Sequence, residues 1–350
     1  MLRRSELRRM MTITTSNMAR LSVVILNWNG RHHLERYLPS VVAHTTGDAE
    51  VVVADNGSTD DSLQWLRLTY PDVRVIRLDR NYGFVGGYNR ALKEVAAEYV
   101  LLLNSDVEVT AGWWQPLVEL LDNEPDVAAV APKLLADKER DRFEYAGASG
   151  GFIDYLGYPF CRGRILSTVE RDEGQYDDRR EIFWASGAAL CCRREVFEAV
   201  GGFDEDYFAH MEEIDLQWRM QLANWRIMVE PRSVVYHLGG GTLPASSRKI
   251  YLNHRNNLAM LYKCASPMQR AVVAVVRPVT DMLEALVHLA TLHPHRAWAI
   301  VRAWGTFISW HGKLAKKRKA VKRSGKPKNI YRYSILLRYC FGKRKFNNMM

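Results

Sequence analysis

Cysteine is scarce and poorly placed for chemistry. The 350 residues hold five: Cys161, Cys191, Cys192, Cys264 and Cys340. None has the short spacing of a metal site, and an odd number cannot close into a full disulfide set. Adjacent Cys191 and Cys192 in an apolar run read as buried thiols, which points to a reducing compartment. Long apolar runs are missing as well. Arg277-Pro278, Asp281 and Glu284 break the best candidate, so no stretch reaches the roughly 18 residues needed to cross a bilayer. The opening MLRRSELRRMM has charge but no apolar core, which excludes a secretory signal and leaves Met11 and Met18 as alternative starts. Neither an internal repeat nor a Pro/Gly-rich linker divides the chain.

Acidic residues are nearly absent from the two ends. Residues 1–20 carry one against five Arg, and residues 265–350 carry two against 18 Lys and Arg. The whole chain is +10, which leaves residues 21–264 at −10. An acidic body argues against nucleic acid as a partner, while the basic end is suited to something anionic.

What is present is alternation. Leu21 to Leu26, Glu50 to Ala54, Val73 to Leu78 and Tyr99 to Leu103 read as strands. His33 to Val42, a segment after Ser58 as N-cap, and Phe84 to Ala97 read as helices. This predicts an α/β fold with a mostly parallel sheet, whose ligands bind beyond the carboxyl ends of the strands. Polar clusters follow three strands: Asn27-Trp28-Asn29-Gly30, Asp55-Asn56-Gly57-Ser58 and Asn104-Ser105-Asp106. Each alone reads as a turn; three at equivalent strand ends read as one site. Further on, Val127 to Val130, Ile182 to Cys192, Arg226 to Val229 and Ser233 to Tyr236 read as strands, the second interrupted at Ser186-Gly187. Residues 136–181 lack a clear period and read as an excursion over the active face. Ser247 to Lys263 reads as a helix.

One acidic stretch stands out, Phe203 to Gln217 (FDEDYFAHMEEIDLQ). From Met211 it turns helical, with Met211, Ile214, Trp218 and Leu222 on an apolar stripe and Glu212, Asp215 and Arg219 on a charged side. Carboxylates crowded against aromatics have raised pKa values, as a general base requires. The plainer reading is a solvated, dipole-favoured helix start.

Taken together, VVILNWNG, VVVADNGSTDDS, RNYGFVGGYNRAL, YVLLLNSDVEV, ASGAALCCRREVFEAVGGFDEDYF, MEEIDLQWR, VYHLGGGT and YLNHRNNLAMLYK resemble the inverting, sugar-nucleotide-dependent glycosyltransferases of family 2. The likeness runs from about Leu21 to Lys263 and is greatest to the rhamnosyltransferase branch that builds bacterial surface polysaccharides. It implies the Rossmann-like GT-A fold. It implies that Asp55 meets the nucleotide base, beside Asn27, Asn29, Asn56 and Ser58, and that Asn81, Gly83, Phe84, Gly86, Gly87 and Asn89 lie near the nucleotide. Asn104-Ser105-Asp106 stands where the family has Asp-any-Asp. Asp106 is therefore the carboxylate ligand of a divalent metal, Mg²⁺ or Mn²⁺, with His237 as a further ligand. The family's base is the Asp of a Glu-Asp pair; here the pair is Glu212-Glu213, so Glu213 takes the base position. Trp184, Ser186, Gly187 and Asp215 fall at the sugar and acceptor side, although a Trp in a buried strand is equally a core residue. Arg255 and Asn256 match a motif at the donor phosphates.

The implied activity is transfer of a sugar from dTDP-rhamnose or a UDP-sugar to a glycan or lipid-linked acceptor. A non-catalytic nucleotide-sugar-binding protein on the same fold is the alternative. A nucleotidyltransferase would need a Gly-rich, basic phosphate loop after the first strand, which Asn27-Trp28-Asn29-Gly30 is not. The expected organisation is a disordered basic segment at 1–20, the catalytic domain at 21–264, helices at 265–312 and a basic tail at 313–350. Apolar, Trp-bearing helices beside the run Lys313 to Lys328 predict peripheral contact with an anionic cytoplasmic membrane face, against a reading as a helical cap with a solvated tail.

Overall fold

The computed structural model describes residues 19–239 and 246–349. The N-terminal basic segment up to residue 18, with its alternative starts, and Gly240, Gly241 and Thr242 of the expected flexible loop lie outside the described residues.

Six elements and their connections build the nucleotide half. They are β1 (Leu21–Asn27), α1 (Arg31–His44), β2 (Ala49–Asp55), α2 (Ser62–Thr69), β3 (Arg74–Arg77) and α3 (Gly83–Ala91), followed by β4 (Tyr99–Asn104) at the sheet centre. β1 pairs in parallel with both β2 and β4, and β2 with β3. The register sets Asn27 opposite Asp55 and Leu26 opposite Asn104, so the three polar clusters meet at one edge as expected. The chain continues through β5 (Val107–Val109), α4 (Gln115–Asn123) and β6 (Val127–Ala136). Then come four short strands, β7 (Gly151–Asp154), β8 (Pro159–Cys161), β9 (Arg164–Ile165) and β10 (Thr168–Val169), and β11 (Arg180–Glu181). β12 (Ala189–Arg193), α5 (Arg194–Ala199), α6 (Glu212–Leu222) and β13 (Arg226–His237) complete the body. The main sheet runs β11-β13-β6-β12-β4-β1-β2-β3, with β12 antiparallel to its neighbours. Buried aliphatic residues from both faces of these strands pack under the helices, so the sheet is the middle of the core.

Four expectations are corrected. Residues 136–181 are not an irregular excursion. They carry strands β7 to β10, which with β14 (Ile330–Tyr331) form a second, small sheet. Those strands are two to four residues long, too short to print a period. The strand expected from Ile182 forms a continuous ladder only from Ala189. Before it the backbone pairs piecemeal: Ile182 N donates to Ile227 O (2.9 Å), Gly151 N to Trp184 O (2.9 Å) and Trp184 N to Gly151 O (3.1 Å), and α6 side chains bond neighbouring groups. Gln217 accepts from Ala185 N (2.6 Å) and donates to Ala185 O (2.8 Å), while Gln221 donates to Phe183 O (2.8 Å). The two strands expected between Arg226 and Tyr236 are one, with an irregularity between Glu230 and Val234. Ser58 is not a helix cap: α2 starts at Ser62, and Ser58 Oγ accepts from Asn29 N (2.9 Å) and Asn27 Nδ2 (3.2 Å).

Beyond Ser246 the chain is helical through α7 (Ser247–Cys264), α8 (Pro267–Ala290), α9 (Pro294–Ser309) and α10 (His311–Ala320), then β14 and α11 (Ile335–Cys340). Among the described residues no helix is long and apolar enough to cross a membrane. The basic run is not simply a solvated tail. Lys317 bonds Asp204 and Asp206, Lys313 bonds Asp206 (2.5 Å), and Arg318 donates to the carbonyls of Tyr262, Lys263 and Ala265. Those carbonyls lie at or just past the C-terminal end of α7, where unpaired acceptors and the helix dipole favour a cation. The segment after α10 returns to the body, pairing β14 with β7 and burying Phe346 against Phe152 and Phe160.

Candidate active site

Two adjoining cavities open at the carboxyl edge of the sheet. The first, about 680 Å³, is lined by Trp28, Asn29, Asn56, Asn81, Gly83, Phe84, Asn104, Ser105, Asp106 and Arg248, among others. The second, about 510 Å³, is lined by Trp184, Ser186, Gly187, Glu212, Glu213, His237, Tyr145, Arg164, Lys249 and His254, among others. Phe84, Asn104 and Ala209 line both, so the cavities meet at these residues.

The first cavity is framed by side-chain bonds between strand ends. Asn27 donates to Asp55 (3.2 Å), Ser58 N donates to Asp55 Oδ2 (3.1 Å), and Asn56 donates to Asn81 Oδ1 (3.1 Å) and Gly83 O (3.0 Å). Gly83 has φ +72°, and a Cβ there would lie 2.8 Å from the Phe208 ring, so the turn into α3 requires glycine. Gly87 lets α3 approach Leu26, which a Cβ would meet at 2.8 Å.

At the junction, Asp106 Oδ1 and His237 Nε2 stand 3.2 Å apart, and Glu144 Oε1 lies 3.3 Å from His237 Nδ1. Burial works to lower the imidazole pKa, but Glu144 and Asp106 on its two nitrogens outweigh that and push it up to about 10. Burial likewise works to raise Asp106, and the bond from His237 holds it below its ordinary value. This donor set fits a divalent cation. It offers one hard carboxylate and one imidazole, which would give up its Nε2 proton to bind the ion and whose Nδ1 has the Glu144 carboxylate behind it, the arrangement that orients metal-binding histidines.

The acid pair opens α6. The chain enters that helix through a strained loop: Phe208, His210 and Met211 all have φ between +65° and +71°. Strain of this kind persists only where neighbours over-determine it. Here Asn256 donates to the carbonyls of Tyr207 (3.1 Å), Ala209 (2.9 Å) and His210 (2.8 Å), and Arg255 donates to those of Asp206 (3.1 Å) and Tyr207 (3.0 Å). Glu212 Oε2 and Glu213 Oε2 are both buried without a partner. Burial pushes the Glu213 carboxyl up to about 7. Burial and then the neighbouring Glu213 charge push Glu212 well above its ordinary value. Glu212 is the more enclosed, while Glu213 keeps some exposure to the cavity. A Cβ on Gly187 would stand 3.5 Å from the Phe84 ring and 3.8 Å from Glu213 Cβ, so glycine there keeps the approach to Glu213 open.

Several expected site residues are placed elsewhere. Asp215 is fully buried and does not face the acceptor side: it accepts from Tyr207 OH (3.1 Å) and Arg219 (2.9 Å) and pairs with Lys263 (2.8 Å). Arg255 faces the acidic loop and the rings of Tyr251 and Trp310 rather than the first cavity. Asn89 clasps Phe203 through its N and O, tying α3 to the turn before the acidic loop. Asp55, Asn27 and Ser58 lie beneath the first cavity and brace its wall. Trp184 is core and floor at once: it lines the second cavity, yet its ring is almost wholly buried against Gly151 and its Nε1 donates to Phe152 O (2.8 Å). Sequence reasoning missed Arg248, Glu144, Tyr145, Arg164, Lys249 and His254. The start of a helix after a glycine loop could have flagged Arg248 and Lys249. Nothing local marks Glu144, whose backbone N is held by Leu134 O of β6 (2.9 Å).

A family model described as glycosyl transferase family 2 matches residues 22–201. The N-acetylglucosaminyl-diphospho-decaprenol L-rhamnosyltransferase of Mycobacterium tuberculosis is 32% identical over 233 residues, covering 62% of this chain and 75% of that protein. Among solved structures, GalNAc-T7 with UDP, GalNAc and Mn²⁺ gives a TM-score of 0.58 at 19% identity, over 75% of this chain and 51% of that one. The mannosyltransferase PcManGT of Pyrobaculum calidifontis, in complex with GDP-Man and Mn²⁺, gives 0.50 at 15% identity, over 87% and 83%. At these identities the structural likeness speaks for the fold, which is the GT-A arrangement.

Proposed function

The chain belongs to the family 2 glycosyl transferases, and from that premise we propose that it moves a hexose with inversion from a nucleoside-diphosphate sugar to a hydroxyl of a lipid-linked or cell-surface glycan. The observation that carries this reading is Glu213, a carboxylate near neutral pKa in the second cavity, beside Gly187 and on the side of Phe84, which both cavities share. The first cavity takes the donor. Its amide-rich wall of Asn29, Asn56 and Asn81 suits a nucleoside, and Arg248 takes the phosphate role expected of Arg255. Asp106 and His237 would hold a divalent cation, which when bound supplies positive charge to the leaving diphosphate.

The acceptor hydroxyl approaches from the second cavity. Its oxygen bonds to the anomeric carbon as the bond from that carbon to the diphosphate breaks. Its proton passes to Glu213. A base near pKa 7 is half ready at neutral pH and still strong enough to take that proton. Glu212, held protonated by burial, donates a hydrogen bond to the acceptor. Arg164, Lys249 and His254 suit an acceptor whose glycan hangs from a diphosphate, and the rhamnosyltransferase relative is named for such a substrate. An anionic membrane surface is where a lipid-linked acceptor of that kind would be met.

The reading is tested by thermal unfolding in a panel of UDP-, GDP- and dTDP-sugars with Mn²⁺ or Mg²⁺. One nucleotide class is expected to raise the midpoint by mass action, with dTDP-rhamnose and UDP-sugars the favoured members. A flat response across the panel would remove the donor assignment.

A further inference from the structure

Helix α8 is built inside out. Its four charged side chains all find partners on the body side, Arg277 and Asp281 buried, Arg270 and Glu284 half-buried. Arg277 and Asp281 pair in the interior (3.1 Å), Glu284 meets His254 (3.2 Å), and Arg270 stacks on Tyr262. The opposite face carries Val275, Val279, Met282, Leu283, Leu286 and Val287, each 51–71% exposed. Leu292, at the turn into α9, is 87% exposed, and Trp298 follows at 61%. In water a surface helix shows the reverse polarity. A contiguous apolar patch along a helix roughly 36 Å long marks an interaction surface.

We infer that α8 lies in the plane of a membrane, with this face inserted at the acyl boundary of an anionic leaflet. Charge selects that occupant. Residues 265–350 hold only two acids against 18 Lys and Arg, and both acids, Asp281 and Glu284, are the ones α8 turns inward. The exposed charge of residues 265–350 is therefore overwhelmingly cationic, Arg302, Lys316 and Lys319 included. Two copies pressed face to face would bring like charges together, whereas an anionic leaflet satisfies both the apolar face and its rim. The helix does not qualify to cross a membrane, and its ion-paired inner side stays against α7, so it lies along the surface. This also moves the expected membrane contact. Lys317 and Arg318 serve the fold, and the apolar face of α8 takes the larger share of binding.

The inference rests on the lipid-linked acceptor reading for its purpose alone. The assay contains neither donor nor acceptor, so its failure leaves the transfer reading standing, and an empty donor panel leaves this one standing. The full chain is floated with phosphatidylcholine–phosphatidylglycerol vesicles and with phosphatidylcholine vesicles. Binding is expected to both, tighter to the anionic set, with only that difference erased by salt. Val279→Glu with Leu286→Glu is expected to weaken partition roughly 100-fold, with circular dichroism and unfolding midpoint unchanged. The milder Val275→Ser with Leu283→Ser, which spares the fold if the charged pair does not, is expected to lose roughly tenfold. The inference is overturned by any of three results: no flotation of the native chain, unaltered flotation of whichever pair stays folded, or a dimer that the charged pair converts to monomer without any lipid binding.

Discussion

Glu213→Gln is expected to bind the donor as the native chain does while turnover falls about 10²–10⁴-fold. Glutamine keeps the size and the hydrogen-bonding reach but cannot take the acceptor's proton. Native turnover should rise as pH climbs through about 7, where burial places the Glu213 carboxyl, and the variant's residual rate should lose that rise. The Glu213 charge raises its neighbour Glu212, so the inflection belongs to the pair. Stability supplies a second readout with a fixed sign. The folded Glu213 carboxyl is raised from 4.5 to about 7, so the folded chain holds an extra proton across that window. Stability from this group is full below the lower value and is lost as pH rises through the upper one. Glu213→Gln removes that loss, so its unfolding midpoint should gain on the native chain as pH rises from 4.5 to about 7 and keep that gain above 7, even though activity is gone. Glu212→Gln should keep most of its turnover and weaken acceptor KM. If Glu212→Gln is dead and Glu213→Gln is active, the roles are reversed.

The parallel half of the fold was legible because each strand is a short apolar run ending in polar residues, and the register of β1 with β2 and β4 brings those ends together. The acid pair stood out in the sequence because Phe203 to Gln217 sets six carboxylates among three aromatics. What was not legible is long-range. Asp215 reads as a site residue on a helical net, and only the fold reveals Lys263, 48 positions away, bonded to it. Arg255 and Asn256 form a motif in the sequence, but their job is to hold the loop whose Phe208, His210 and Met211 are left-handed, which no local signal announces. Glu144 arrives from a segment with no period at all. The basic run reads as solvated charge until Asp204 and Asp206 are seen beneath it. Most of the residues misplaced from sequence thus support the site rather than line it, and support depends on neighbours that sequence spacing does not encode.

Removing the cation is expected to silence the enzyme to a similar degree. Charge builds on the departing diphosphate, and losing the ion that meets it costs on the order of 100-fold or more in rate. Chelation with EDTA should abolish transfer, and added Mn²⁺ or Mg²⁺ should restore it. Asp106→Ala should lose donor affinity and turnover together, because Asp106 is the one carboxylate of the Asn104-Ser105-Asp106 cluster. Its partner His237 should respond too: without Asp106 one of the two carboxylates that hold it protonated is gone. Glu144→Gln, which removes the carboxylate behind His237 Nδ1 while keeping an acceptor for Ala146 N, should weaken Mn²⁺ affinity about 10–100-fold, the usual cost of losing a group that orients a metal-binding histidine. Full activity in EDTA with an unimpaired Asp106→Ala would take the metal out of the mechanism.

The central claim is direct displacement, with Glu213 drawing the proton from an acceptor that attacks opposite the leaving diphosphate. The most direct test follows the product's anomeric proton and carbon by NMR, using the donor that the panel identifies and a soluble glycan acceptor. Direct displacement gives a single anomer opposite in configuration to the donor, formed without a glycosyl-enzyme intermediate. A product that retains the donor's configuration would contradict it.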